Sequence, residues 1–401
     1  MAPKKQVAKS SRVNLWVIIS VIVGLAAIFF LLTYHLGSIM RGITSGESSF
    51  YGLKLGWHGL YQNPLNLPVN VLYSIIFKFL SPVSMTLLRV PSAITGAATI
   101  IALYALLHIW YGQRTAIFGS ILFAASAWTL HVSRLADFNV EYLAAITFFF
   151  LSTAILQKKL NSRYVYWLIN LAWSLLLYVP GMVFLIAYNI YRQRADVGYG
   201  MKIQDDFKSK LAYVLSALIW LPLIGRYLVR SPKNILNWLG LPQHFASPLH
   251  IIKEFGAVFY HIFIRGPLLP NLWLGRLPIL DIFGVIAALT GIYFYAVHIK
   301  ATRTHLLFVS FLIGAILIAL GGSVSLSIVI PIIYIFIAAG LAYLLNQWLS
   351  VFPKNPIARS LGYILISLAI AMSVVYNLRS YFVAWPHNSA SISVFDVKDK
   401  D

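Results

Sequence analysis

The sequence contains no cysteine in 401 residues. Disulfides, thiolate nucleophiles and cysteine-ligated zinc or iron–sulfur centres are therefore excluded. Acids are scarce as well, with 11 Asp and Glu against 31 Lys and Arg, and Glu47 is the only carboxylate before Asp137. Charged residues make up 10% of the chain, against about 25% in soluble domains. No Walker loop, G-x-G-x-x-G or G-x-S-x-G element occurs, which argues against a nucleotide-driven pump or an α/β-hydrolase. The histidines show no H-E-x-x-H or other zinc spacing, so metal binding through them is weakly supported.

Apolar sequence fills the space. Hydrophobic residues make up 60% and the mean hydropathy is +0.79. Apolar runs of about 18 residues or more recur from end to end, the signature of transmembrane helices, without the polar–apolar alternation of a membrane β-barrel. The chain therefore reads as an all-α, polytopic transmembrane helical bundle in the plasma (inner) membrane. A formal charge of +20 would suggest nucleic acid on a soluble protein, but no basic soluble domain is present. In a membrane protein basic residues fix topology and meet anionic headgroups, so membrane lipids are expected partners and nucleic acid is not.

Three regions follow: a cytoplasmic basic N-terminus over 1–13 with Lys4, Lys5, Lys9 and Arg12, a transmembrane domain over 14–378, and a polar C-terminal tail over 379–401. The first apolar run is longer than a signal-peptide core and lacks a clear small-residue cleavage site, so it is expected to stay as the first span. About eleven spans are expected, at 14–36, 87–110, 114–132, 138–157, 164–178, 180–192, 209–229, 279–298, 304–321, 325–349 and 358–378. The fifth and sixth are short for a bilayer about 30 Å thick and meet at Tyr178-Val179-Pro180-Gly181. With this count the basic turns lie inside, as the positive-inside rule asks. Two long loops, about 37–86 and 230–278, then face outward and carry amphipathic stretches at Leu67–Leu80 and Ile251–Ile264, expected as interfacial helices.

The acids on the outer face are Glu47, Asp137, Glu141, Glu254 and Asp281. Glu47 lies in a Gly- and Ser-containing loop entering a short helix. It could be a general base or, if the site uses a metal, the ligand of a divalent cation bridging a phosphate. It could equally be a helix N-terminal acid, with Ser45 and Ser48 or Gly46 at the cap. Asp137 and Glu141 are four apart, on one helix face. They could present a base or hold a metal. Alternatively Asp137 caps the following helix and pairs with Arg134. Glu141 lies about one turn into an apolar span, where ionisable residues are costly and face cavities. Arg89, Arg134, Arg265 and Arg276 are natural contacts for a lipid-linked phosphate, although each alone fits a snorkelling interface residue. His58, beside Trp57, and other aromatic neighbours could hold a sugar, or simply mark the interface.

The order of motifs then becomes specific. An acid opens the first outer loop, followed by Asn63-Pro64-Leu65, Leu88-Arg89-Val90-Pro91-Ser92-Ala93, Tyr111-Gly112-Gln113-Arg114-Thr115-Ala116 and Ser133-Arg134-Leu135. This order resembles the GT-C superfamily of integral-membrane glycosyltransferases, nearest its protein O-mannosyltransferase-like and aminoarabinose transferase-like groups. Motifs carry the resemblance over roughly 37–195. It implies inverting transfer of a sugar from a polyprenyl-phosphate-linked donor to an extracytoplasmic acceptor. Glu47, Glu141 and Asp137 would be the catalytic acids, the four arginines would meet the donor phosphate, and Tyr51 and His58 would meet sugar or acceptor. The cofactor is left open, a divalent cation being the option. Members of the family begin this loop with an Asp-Glu pair. Here Gly46 stands where the Asp is expected, so a catalytically impaired relative that binds lipid-linked glycan is the alternative. A lipid or glycan transporter is less supported, since no paired, interrupted spans suggest inverted repeats.

Overall fold

A computed structural model describes residues 15–40, 42–51, 60, 63–80, 84–268, 272 and 274–395. The described residues form helices and connecting turns. The first seven are α1 (Leu15–Thr33), α2 (Ser45–Tyr51), α3 (Leu67–Phe79), α4 (Met85–Tyr111), α5 (Gln113–Ala125), α6 (Ala127–Arg134) and α7 (Asn139–Gln157). Then come α8 (Arg163–Leu176), α9 (Met182–Arg192), α10 (Arg194–Lys202), α11 (Phe207–Ala217), α12 (Leu221–Arg230), α13 (Pro232–Leu239) and α14 (Pro248–Phe263). The last are α15 (Ile282–Val297), α16 (Thr302–Ala319), α17 (Ile330–Val351), α18 (Pro356–Arg379) and α19 (Ser389–Val394).

Among the described residues five helical segments are long and apolar enough to cross a membrane: α4, α7, α16, α17 with its preceding 3₁₀ turn, and α18 with the turns that follow it. The bent pair α5–α6 makes a sixth if it counts as one span. The expectation of about eleven spans was larger because several apolar runs form helices shorter than a span. The expected spans near 164–178, 180–192, 209–229 and 279–298 are helices α8 with 14 residues, α9 with 11, α11 with 11 followed by α12 with 10, and α15 with 16. At 1.5 Å per residue these are shorter than the roughly 30 Å core.

The bundle is organised on α17. Its side chains from Ile330 to Leu341 are all buried, as expected of a helix apolar on every face that sits inside other helices. Its closest neighbour is α15. A Cβ at Gly340 would sit 2.0 Å from the Ala287 carbonyl oxygen, and one at Gly291 would sit 1.8 Å from that of Phe336, so the two backbones touch. Small residues at such crossings allow close approach between membrane helices. Polar ties join the short helices: Asn189 to Thr153 at 2.9 Å, Trp173 to Ser152 at 2.8 Å, and Ser174 to the Ser216 carbonyl at 2.7 Å.

Two breaks position the site. The α5–α6 chain bends by 61° at Ser126, which turns His131 and Arg134 inward as buried residues. At the α8–α9 break, Gly181 adopts φ 79°, the Tyr178 carbonyl accepts from Asn66 N–H at 3.0 Å, and Gly181 N–H donates to the Trp238 carbonyl at 3.0 Å. The two stretches expected as interfacial helices are helical, as α3 and α14. The segment read as a polar tail folds back instead. A π-helical turn at Ser380–Ala384, a 3₁₀ turn at Trp385–His387 and α19 follow α18, with Tyr381, Trp385 and Phe395 buried.

Candidate functional site

Thr44-Ser45-Gly46-Glu47 folds as a capping box. Glu47 N–H donates to Thr44 Oγ1 at 3.1 Å and Thr44 N–H donates to Glu47 Oε2 at 3.0 Å. The cap is therefore Thr44, one residue before the serine and glycine that the sequence nominates. The Glu47 carboxylate is also gripped from α4. Arg89 Nε donates to Oε1 at 2.8 Å and Nη2 to Oε2 at 3.1 Å, in the fork geometry that makes Arg–carboxylate pairs strong. Ala136 N–H donates to Oε1 at 3.2 Å. Each Glu47 oxygen thus accepts two hydrogen bonds, and the residue is fully buried. Arg89 is committed in turn, donating to the Leu36 and Gly42 carbonyls at 3.0 Å each. The pair ties together the end of α1, the first loop, α4 and the turn before α7.

Arg134 lies in the same region with a different partner set. It donates through Nη1 to the Leu31 carbonyl at 2.5 Å and through Nη2 to the Tyr34 carbonyl. Its guanidinium stands over the rings of Tyr381 and Phe382, at 5.6 and 5.0 Å. It is 1% exposed, its Nε has no hydrogen-bond partner, and it forms no ion pair among the described residues. Arg134 is thus a buried cation held by carbonyls, rings and the Tyr381 side chain, with Nε in reserve.

Asp137 does not pair with Arg134. It folds an Asx turn, accepting from Asn139 N–H at 3.4 Å and from the Asn139 amide at 2.5 Å. Burial pushes its carboxyl above the usual value of 3.8. The Asn139 bonds pull the other way, and the nearby Glu47 charge adds to the rise. Glu141, in the first turn of α7, is buried and approaches the Val69 backbone at the start of α3. The expected shared face of Asp137 and Glu141 is not formed, because Asp137 precedes the helix. Tyr73 of α3 completes the local core, bonded to Ser92 at 2.8 Å and tilted against the Phe50 ring at 4.8 Å.

The Arg265 and Arg276 turns adjoin each other, since a Cβ at Gly266 would sit 2.2 Å from the Leu277 carbonyl oxygen. Arg265 is partly buried, and Arg276 is exposed at φ 67°. Tyr51 ends α2, and His58 lies outside the described residues. Among the described residues no group of three or more His, Asp or Glu could hold a metal ion, and both oxygens of Glu47, the nominated ligand, are taken by hydrogen bonds. This donor set, as described, does not fit a metal ion at Glu47.

The sequence reading missed the aromatic set from the C-terminal segment. Tyr381 and Trp385 stack at 5.1 Å, His131 meets Trp385 at 4.8 Å, and Phe395 lies 6.0 Å from the Arg89 guanidinium. The available signal was the i, i+4 spacing of Tyr381 and Trp385 at the end of an apolar run.

No family model matches the chain, and no curated protein matches it. Solved structures do. ArnT from Cupriavidus metallidurans, bound to undecaprenyl phosphate, aligns with TM-score 0.54 and 13% identity, covering 94% of this chain and 76% of ArnT. The apo oligosaccharyltransferase of Archaeoglobus fulgidus aligns with TM-score 0.50 and 16% identity, covering 93% of this chain and 56% of that enzyme. The chain therefore has a GT-C-like fold, shared with these two proteins.

Proposed function

We propose that this protein transfers a sugar from a polyprenyl-phosphate-linked donor to an acceptor hydroxyl on the extracytoplasmic side of the plasma membrane. The observation that carries the reading is Arg134, a buried guanidinium with no carboxylate partner among the described residues and with Nε to spare, three residues before an acid whose carboxyl is raised. The donor's phosphodiester anion, and the phosphate dianion it becomes on leaving, satisfy such a cation, and a raised carboxylate suits proton abstraction near neutral pH. The fold shared with ArnT, which binds undecaprenyl phosphate in its own structure, supports the same donor class.

The acceptor oxygen attacks the anomeric carbon, the bond from that carbon to the phosphate oxygen breaks, and the phosphate leaves with the electron pair. The hydroxyl proton passes to Asp137. Arg134 meets the charge developing on the leaving phosphate, the kind of preorganised stabilisation that lowers such barriers. Glu47 acts indirectly. It holds Arg89 and the Ala136 backbone, and so sets the turn that carries Arg134 and Asp137. Glu141 lies buried in the first turn of α7, and neither of its carboxyl oxygens has a hydrogen-bond partner among the described residues. The second reading, a relative that binds lipid-linked glycan without transferring it, is favoured by Gly46 and by the saturation of Glu47.

Purified protein in nanodiscs tests both. Undecaprenyl phosphate is expected to bind wild type, and Arg134→Gln to weaken binding about tenfold or more, the worth of one charge-assisted contact. Equal affinity of the two proteins removes Arg134 from the phosphate site. Transfer from a panel of undecaprenyl-phosphate sugars separates enzyme from binder.

A further inference from the structure

The segment after α18 packs over the buried arginines. Tyr381 and Phe382 stand over Arg134, Trp385 stacks on Tyr381 and meets His131, and Phe395 reaches Trp385 and Arg89. The far end of the segment rests on the first loop. A Cβ at Gly42 would lie 1.8 Å from the Phe395 carbonyl oxygen, so only glycine admits that contact, and Gly42 also supplies a carbonyl to Arg89. Midway, Asn388 lies over the Gly275–Arg276 turn. One strap of about fifteen residues therefore spans both loops and closes over both buried arginines.

The strap also has the features of an element that moves. It leaves α18 through the π-helical turn Ser380–Ala384 and a 3₁₀ turn with Pro386, and irregular helical turns of this kind are frequent at functional sites. Its own helix α19 has six residues, too short to be stable alone. The rings meet Arg134 through cation–π contacts, which are weaker than a charged phosphate partner in a buried site. A phosphate bound at Arg134 has to share the space that Tyr381 and Phe382 now fill.

We propose that residues 380–395 form a closing strap that occupies the phosphate approach to Arg134 and swings aside when the donor's phosphate binds. This rests on the reading of Arg134 as the phosphate contact. Because the chain has no cysteine, one introduced thiol reports the motion. Ser391 is fully buried in the strap and its hydroxyl has no partner, so Ser391→Cys is a near-isosteric probe.

Maleimide labelling of full-length Ser391→Cys in nanodiscs is expected to be slow and to accelerate about tenfold with saturating undecaprenyl phosphate. Undecaprenol and phosphatidylglycerol are expected to leave it slow, which separates the polyprenyl phosphate from the bare chain and from ordinary anionic headgroups. As a second variant, Trp385→Ala loosens the strap and is expected to bind undecaprenyl phosphate about threefold or more tightly than wild type, since less closed state must be displaced. If undecaprenyl phosphate binds wild type but neither speeds labelling nor prefers Trp385→Ala, the strap proposal is overturned while the donor reading stands. If it binds neither protein, both fall.

Discussion

At the scale of single residues, Glu47 changes standing once its neighbours are visible. Its isolation in the sequence suggested a chemical centre, yet each oxygen accepts two bonds and the Arg89 fork fills one side. Breaking a buried ion pair by removing one partner costs about 3–5 kcal/mol, because the other charge is stranded. Glu47→Gln is therefore expected to lower stability by about that amount in thermal unfolding in detergent, and Glu47→Leu with Arg89→Leu to cost less than the sum of the two single changes. An unchanged melting temperature for Glu47→Gln would return Glu47 to a purely chemical role. Asp137 behaves oppositely. Its raised carboxyl means that the folded state prefers the protonated form. That contribution to stability is complete below the unfolded value and is lost as pH rises through the folded one. At neutral pH, Asp137→Asn is thus expected to be no less stable than wild type while losing about 10²–10⁴ in transfer rate. The wild-type rate should fall as pH drops through the raised value, and this limb should vanish in Asp137→Asn.

At the scale of elements, the break at Ser126 decides where Arg134 points. The first turn of α6 carries backbone N–H groups without intrahelical partners, and Asn377 of α18 accepts from one of them, Ala127 N–H, at 3.2 Å. The Asn377 amide is itself held by Asp281 at 3.2 Å and by the Ser373 carbonyl at 2.9 Å, while Asp281 caps α15 through Gly284 N–H at 2.7 Å. One polar chain thus joins α15, α18 and α6. Asn377→Leu removes the acceptor and leaves a buried N–H, expected to cost about 1–3 kcal/mol and to weaken undecaprenyl phosphate binding by tilting α6. Full affinity in a destabilised Asn377→Leu would show that the break is set by packing alone. The α15–α17 crossing is less forgiving. Gly340→Ala places a carbon 2.0 Å from the Ala287 carbonyl oxygen, so the helices must part, at a cost of about 1–3 kcal/mol or more in thermal unfolding.

At the scale of the whole molecule, legibility followed the kind of information each feature needs. Apolar runs announced helices, and α4, α7, α16, α17 and α18 lie where the runs placed them. The number of spans was not legible, because α8, α9 and α11 combine span-like hydropathy with short length and polar ties such as Ser174 to Ser216, which exist only after packing. Glu47, Arg89, Arg134 and Asp137 were legible as a list of scarce residue types. Their division into a saturated pair, an acid-free cation and a raised acid was not, since it depends on backbone donors such as Ala136 N–H. The contacts place the C-terminal segment beside the first loop. Phe395 touches Gly42 and Tyr381 covers Arg134, so the strap shares an end of the bundle with α2. The opposite end holds Arg303 against Trp110 and Arg114 against Tyr363, with the end of α17 extending toward it. Ser45, Ser350 and Ser393 are all exposed and can each carry the single thiol of an otherwise cysteine-free chain. In intact cells an impermeant maleimide is expected to label Ser45→Cys and Ser393→Cys and to spare Ser350→Cys until the membrane is permeabilised. If Ser393→Cys instead follows Ser350→Cys, the strap lies across the bilayer from the first loop and cannot cover Arg134.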